Sequence, residues 1–176
     1  MVGFAFHNLI RSQELAIAIP PCVEEVQAIR AVPDILQTLA DLTGLGFICV
    51  AHVTATEWTA CAVLDRLDFG LKPGDPLDVT TTLCEDVRDT GLAIVIDCVD
   101  DSAQYKDHPT PLMYGFQSYF SIPLFRPAGA YFGTLCGIDS APAALSNKTT
   151  TTTMRLFAEL ISKQLDPHGP AEPAVG

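Results

Sequence analysis

From Cys22 to Leu42 apolar residues recur at intervals of three and four. Val26, Ile29, Val32, Ile35, Leu36, Leu39 and Leu42 fall on one helical stripe, while Glu24, Glu25, Gln27, Arg30, Asp34, Gln37 and Asp41 fall largely on the other side. Pro33 interrupts the stripe; it has no amide to donate and its ring crowds the preceding turn, so it predicts a kink or a fresh helix start. Gly44 and Gly46 end the element. Two β-rich runs follow, Phe47 to Thr54 and Glu57 to Asp65, close enough together that an antiparallel hairpin is the natural connection. On the second run Trp58, Ala60, Ala62 and Leu64 alternate onto one face.

Leu67 to Pro76 is dense in Gly and Pro and reads as a surface loop or cap rather than a sheet strand. Thr80, Thr81 and Thr82 then precede a short helical run from Leu83 to Arg88, with Glu85 three residues after Thr82 as in a capping box. Leu92 to Asp97 is a compact strand, and Val99 to Met113 is polar and irregular. Ser118 to Phe125 and Tyr131 to Asp139 form another strand pair across a hairpin-length turn. A last amphipathic helix carries Met154, Phe157, Leu160, Ile161 and Leu165 on one stripe and Arg155, Glu159 and Lys163 on the other side. Thr149 to Thr153 obscures where that helix starts, because a β-branched run favours strand over helix. Antiparallel strand runs flanked by helices argue an α+β domain with helices segregated to one sheet face.

Composition supports one folded domain. The 176 residues are 48% hydrophobic and 18% charged, which excludes a disordered chain. Ten Lys plus Arg against 21 Asp plus Glu leave a formal charge of −11, a balance that repels phosphate backbones and anionic lipid surfaces and argues against nucleic-acid and membrane partners. Leu15 to Val23 is apolar but broken by Pro20 and Pro21, too short to span a bilayer and unlike a signal peptide, so the chain reads as cytoplasmic. Six cysteines, Cys22, Cys49, Cys61, Cys84, Cys98 and Cys136, show no Cys-x-x-Cys and no zinc-finger spacing with His; they read as reduced, buried apolar groups. Residues 1–21 form an N-terminal extension, 22–165 the domain, and 166–176 a Pro/Gly-rich tail expected to be disordered.

The element order resembles the GAF domain family when read with Thr81-Thr82-Leu83-Cys84, Val95-Ile96-Asp97, the run from Tyr114 to Leu124, and Gly133-Thr134-Leu135-Cys136-Gly137-Ile138-Asp139. It looks most like the GAF sensory modules of bacterial sensor histidine kinases. The resemblance implies an antiparallel sheet of five or six strands, with terminal helices on one face and loops and short helices over a small-molecule pocket on the other. It also implies a homodimer whose terminal helices pass a signal to an output domain such as a histidine kinase, without enzymatic activity of its own. Two specialised branches of the family differ from this chain in part of their pattern. Bilin-binding relatives attach the tetrapyrrole through a Cys immediately before a His, but here Asp107 precedes His108, and Ser121-Ile122-Pro123 stands where phytochromes have Asp-Ile-Pro. No cofactor is therefore expected. Free methionine-R-sulfoxide reductase, the enzymatic alternative, needs a low-pKa pocket thiolate; Cys84 at a helix start is the candidate, though Asp107 to Phe116 holds no cysteine. A further alternative is a degenerate GAF domain that only dimerises, with a collapsed pocket and an open apolar stripe on its terminal helices.

Candidate ligand-binding residues follow from the two loop segments and the strand that the resemblance makes the pocket floor. They are Trp58, Phe69, Cys84, Asp97, His108, Tyr114, Ser118, Tyr119 and Ser121. Alternation puts Tyr119 and Ser121 on one face and Ser118, Phe120 and Ile122 on the other, so only one set reaches the ligand. The serines suggest a polar floor. Lys72, Lys106 and His108 are the basic groups expected nearby, so a neutral or zwitterionic ligand is favoured over a nucleotide.

Overall fold

A computed structural model describes residues 18–169. The extension over 1–21 and the tail over 166–176 fall largely outside the described residues. The chain forms helices α1 (Pro21–Gln27) and α2 (Val32–Thr43), strands β1 (Phe47–Val53), β2 (Glu57–Asp65) and β3 (Pro76–Asp78), a 3₁₀ turn (Val79–Thr81), helix α3 (Cys84–Thr90), strand β4 (Ile94–Ile96), helix α4 (Pro109–Tyr114), strands β5 (Ser118–Phe125) and β6 (Tyr131–Asp139), and helix α5 (Lys148–Gln164). The strands make one six-stranded sheet in the order β3-β2-β1-β6-β5-β4, and every pair is antiparallel.

Pro33 marks a fresh start: it occupies the first turn of α2, where its missing amide has no partner to lose. Gly44 closes α2 in the left-handed conformation, φ +75°. The start of α5, obscure in the sequence, is set by Asn147, whose Oδ1 accepts from the Thr150 amide at 2.9 Å. At α3 the expected threonine cap is absent. Thr82 Oγ1 donates to the Val79 carbonyl instead, and Asp78 caps the 3₁₀ turn through the Thr80 amide. Short β3 emerges at the end of the Gly/Pro loop, an edge position that tolerates Pro76.

On one sheet face Ile48, Val50, Phe120, Ile122, Leu124 and Leu135 pack under α1, α2 and α5 through Val26, Leu36, Leu39, Met154 and Ile161. Gly133 and Gly137 on β6 explain their motif physically. A Cβ on Gly133 would lie 1.9 Å from the Ala51 carbonyl oxygen, and one on Gly137 would lie 2.6 Å from the Phe120 ring. The other face carries a second core around Phe47, Cys49, Trp58, Ala60, Val79, Cys84 and Cys136.

One alternation fails. In the β1–β2 ladder Ala51 pairs with Ala60 but Val50 pairs with Ala62, leaving Cys61 as the extra residue of a β-bulge. The bulge flips the parity of β2: Trp58 and Ala60 face away from the helices, whereas Cys61, Ala62 and Leu64 pack with the helical core. Ala62 and Leu64 therefore do not share the face of Trp58. Leu160 also leaves its expected stripe; together with Leu156 it is exposed on α5, at 48% and 56%. The start of the tail is ordered by contacts: the Asp166 amide donates to Glu25, and the Asp166 carbonyl accepts from Arg126. Among the described residues no helix is long and apolar enough to cross a membrane.

Candidate functional site

The sheet face away from the terminal helices is roofed by the β2–β3 loop, α3 and α4, and between floor and roof lies a cavity of about 50 Å³. Phe47, Trp58, Tyr119, Cys136 and Ile138 form the floor; Phe69, Leu71, Leu83, Cys84, Tyr114 and Phe116 come from the roof. The aromatic rings are contiguous. Phe69 stands 5.1 Å from Phe47 and 6.0 Å from Tyr114, and Phe116 stacks on Tyr119 at 5.3 Å.

The roof loop is held by a carboxylate. Asp65 Oδ1 accepts from the Leu67 and Phe69 amides at 2.9 and 3.1 Å, and Oδ2 accepts from Gly70 at 2.9 Å. Partial burial opposes the charge of Asp65, but the amides of Gly70, Phe69, Leu67 and Asp68 together outweigh it and hold the carboxyl below the usual carboxylate range. Tyr114 is tied to the 3₁₀ turn through Thr81, 2.8 Å from hydroxyl to hydroxyl.

An adjoining pocket of about 340 Å³ shares Phe69, Tyr114, Phe116 and Ile138 with this cavity. Among the described residues no charged side chain lines the first cavity. The indole Nε1 of Trp58, a residue only 3% exposed, is a buried donor with no partner. Where α3 meets the floor, the Cys84 thiol lies 3.3 Å from Tyr119 Oη, 3.4 Å from Thr134 Oγ1 and 3.7 Å from Ser121 Oγ.

The structure brings Trp58, Phe69, Cys84, Tyr114 and Tyr119 to the cavity and places the other four candidates elsewhere. Ser121 shares the face of Tyr119 but is spent on the Cys84 cluster. Ser118 points to the opposite face and donates to the Ala141 carbonyl at 2.7 Å. Asp97 accepts from the amides of Leu145 and Ser146 and from the Ser146 hydroxyl, so its carboxylate fastens the β6–α5 connection. His108 caps α4, its Nδ1 accepting from the Thr110 amide at 3.2 Å. Lys72 and Lys106 are not among the lining residues either, and the expected polar floor is instead apolar.

Cys84 differs from a nucleophile. Its contact with the Cys136 thiol and its complete burial push its thiol well above the ordinary value, outweighing the Thr134 and Tyr119 hydroxyls. Tyr119 is raised by burial, then by the neighbouring thiols. Sequence reasoning missed Phe47, Cys136 and Ile138 as lining groups; alternation along β1 and β6 would have found them had the face of either strand been known. Among the described residues no group of three or more His, Cys, Asp or Glu side chains could hold a metal ion.

The GAF domain family profile matches residues 27–165. No curated protein sequence matches the chain. Among solved structures, the type II free methionine-R-sulfoxide reductase from Thermoplasma acidophilum superposes with a TM-score of 0.59 at 14% identity, covering 80% of this chain and 92% of that one. The GAF domain of an Acinetobacter phosphoenolpyruvate-protein phosphotransferase gives 0.56 at 12% identity, over 80% and 85%. A methyl-accepting chemotaxis protein fragment gives 0.59 at 16% identity, over 81% and 93%. At these identities the likeness is one of fold.

Proposed function

The chain belongs to the GAF domain family, a family of signalling and sensor modules, and on that premise we propose that it senses a small, neutral, amphipathic molecule and relays occupancy through its terminal helices. The observation that carries the reading is the unpartnered, buried indole N–H of Trp58, a residue that lines the apolar cavity. A buried donor left without an acceptor costs roughly 1–3 kcal/mol, and a ligand oxygen or nitrogen reaching it would recover that cost. The apolar lining takes the body of such a molecule, and the absence of a lining cation disfavours an anionic nucleotide.

The cavity is about a third of the roughly 150 Å³ site that holds benzene in an engineered core. A ligand larger than a few atoms must therefore displace shared lining groups such as Phe69 and Tyr114 and extend into the adjoining pocket. The relay is short, because the sheet is one residue thick. Tyr119 under the ligand is followed by Phe120 under the helices, and Phe47 by Ile48. The output is an attached or partner domain such as a histidine kinase, in the cytoplasm, with the module acting as a homodimer. We assign it no enzymatic step and no cofactor: the raised, buried thiol of Cys84 is a poor attacking group, and Asp107 stands before His108 where bilin-binding relatives have the attaching Cys.

A second reading, a GAF domain that pairs subunits without a ligand, is favoured by the exposed Leu42, Leu156 and Leu160 on α2 and α5. Native mass spectrometry with a panel of neutral amphipathic molecules separates the two. The sensing reading predicts at least one saturable complex, strengthened in Phe69→Ala and weakened fivefold or more in Trp58→Phe. A protein that stays unliganded across the panel in both wild type and Phe69→Ala supports pairing alone.

A further inference from the structure

The two edges of the sheet are unlike. β3 follows Asp75, begins on Pro76 and ends on Asp78, features that blunt an edge against further pairing. At the other edge β4 pairs with β5 alone, Ile94 with Ser121, Val95 with Phe120 and Ile96 with Tyr119, without a bulge. An antiparallel strand with one neighbour leaves alternate amides and carbonyls turned away from the sheet. From Leu92 to Ile96 the sequence has no proline, glycine or charge to guard them, and Leu92 at the entry is 68% exposed.

Along this edge runs an open groove of about 410 Å³. Val95 packs with the helical core and Ile96 with Leu83, Phe116 and Tyr119 on the cavity side, yet both line the groove. The groove therefore follows the outer margin of the strand rather than either face. Asp101 and Tyr105 from the segment after β4, with Ser146 ahead of α5, supply other parts of its wall. That wall is braced. Gln117 Oε1 accepts from the Asp100 amide at 3.3 Å, Gln117 Nε2 donates to Asp100 Oδ1 at 3.2 Å, and the Ser102 carbonyl accepts from the Lys106 amide at 3.0 Å. The groove shares no lining residue with the cavity or with the pocket adjoining it.

Charge selects the occupant. Among the described residues no Lys or Arg lines the groove, whereas Asp97 and Asp101 do. The loop from Asp100 to Asp107 sets Asp100, Asp101 and Asp107 against one Lys, Lys106. Asp97 already accepts from the Leu145 and Ser146 amides and the Ser146 hydroxyl, so exposed Asp101 is the carboxylate that can turn to an incoming cation. A second copy of this chain, at −11, would bring the same acidic margin against itself. We propose that the free edge of β4 docks an extended, basic segment of a partner protein, which adds to the sheet as a seventh strand and lays one Lys or Arg side chain in the groove beside Asp101. Backbone pairing attracts any extended chain, and the carboxylates choose the basic one. Three paired residues make a short edge, so the contact is weak and reversible. The proposal is independent of any ligand in the cavity.

Three peptides, titrated into the whole ¹⁵N-labelled chain, test it: acetylated and amidated Thr-Val-Lys-Val-Thr, the same peptide with Glu in place of Lys, and the lysine peptide with its central three backbone nitrogens methylated. Offered at about 1 mM, the lysine peptide is expected to shift amides between Ile94 and Asp101 saturably and to slow hydrogen exchange at the outward-facing amides of β4. The Trp58 indole peak should stay in place. The glutamate peptide should bind at least fivefold more weakly, and the methylated peptide, which cannot donate to a strand edge, should not bind. Asp101→Lys, a change in an exposed loop, should reverse the preference between Lys and Glu. Binding that ignores backbone methylation or the Lys-to-Glu exchange, shifts that fall away from β4 and its groove, or no shift with the lysine peptide overturns the proposal. Protection of the β4 amides that rises with protein concentration alone would identify a second copy as the occupant and overturn it as well.

Discussion

Arg126 ties together the parts of the molecule that a relay would have to move. It sits just after β5, 8% exposed, and its guanidinium reaches Glu25 of α1 through Nη1 to Oε1 at 2.6 Å and Nη2 to Oε2 at 3.1 Å. Nη1 also donates to the Asp166 carbonyl just after α5, at 2.9 Å, and the guanidinium carbon lies 4.9 Å from the Phe132 ring centre. Replacing it by Met keeps the apolar stem but leaves the Glu25 carboxylate, itself only 14% exposed, without its counter-charge. Breaking a buried pair from one side costs about 3–5 kcal/mol. The Asp166 amide still donates to Glu25, which puts Arg126→Met at the lower end, about 3 kcal/mol. For a domain of this size that corresponds to a fall of about 6–12 °C in Tm. The double variant Glu25→Gln, Arg126→Met removes both charges and should regain at least half of the loss. Differential scanning calorimetry of the four proteins in the cycle measures it. A fall below 2 °C for Arg126→Met, or no recovery in the double variant, would refute the assignment of a buried clamp between first and last helix.

Further outcomes follow from other contacts. Gly133→Ala should cost about 3 kcal/mol or more, because its methyl would meet the Ala51 carbonyl at 1.9 Å and the neighbour is backbone; chemical denaturation at unchanged m-value checks this. The folded-state pKa of Asp65 is depressed, so the stabilisation it gives is complete above its unfolded value of about 3.9 and is lost as pH falls through the lower folded value. Amide exchange of Leu67, Phe69 and Gly70 should accordingly rise on acidification below pH 4, and in Asp65→Asn it should be raised already at pH 7. Leu156→Glu with Leu160→Glu should leave the fold intact and shift analytical ultracentrifugation toward monomer; an unchanged oligomeric state would separate dimerisation from this face of α5.

Much of the fold was legible because its signals are local. The hairpin β5–β6 emerges with the boundaries its alternation predicts, Ser118–Phe125 and Tyr131–Asp139, and Pro33 starts a helix for steric reasons that need no tertiary context. The bulge at Cys61 was not legible. Register is decided by pairing with β1 and β3, and nothing in Glu57 to Asp65 marks which residue will be skipped. That single slip moved Ala62 and Leu64 to the other face and turned Cys61 into the helical core. The candidate site was legible by type more than by role. Asp97, His108 and Ser118 are polar residues in the right segments, yet each answers a backbone or loop requirement: three donors around a turn, a helix start, a lone carbonyl at Ala141. The aromatic residues Trp58, Phe69, Tyr114 and Tyr119 reach the cavity because each lies on a floor strand or in a roofing segment.

The central claim is that the unpartnered indole donor of Trp58, a residue of the cavity lining, becomes a ligand contact. Trp58 is the sole tryptophan of the chain, so ¹⁵N-labelled protein gives a single indole N–H cross-peak. Titrating the panel of neutral amphipathic molecules against that peak is the most direct measurement. The account predicts that at least one compound moves it downfield and saturably, as an acceptor engages the donor, with accompanying shifts in the amides of Phe120 and Ile48 beneath the terminal helices. An indole peak that no compound moves, in wild type or in Phe69→Ala, would contradict it.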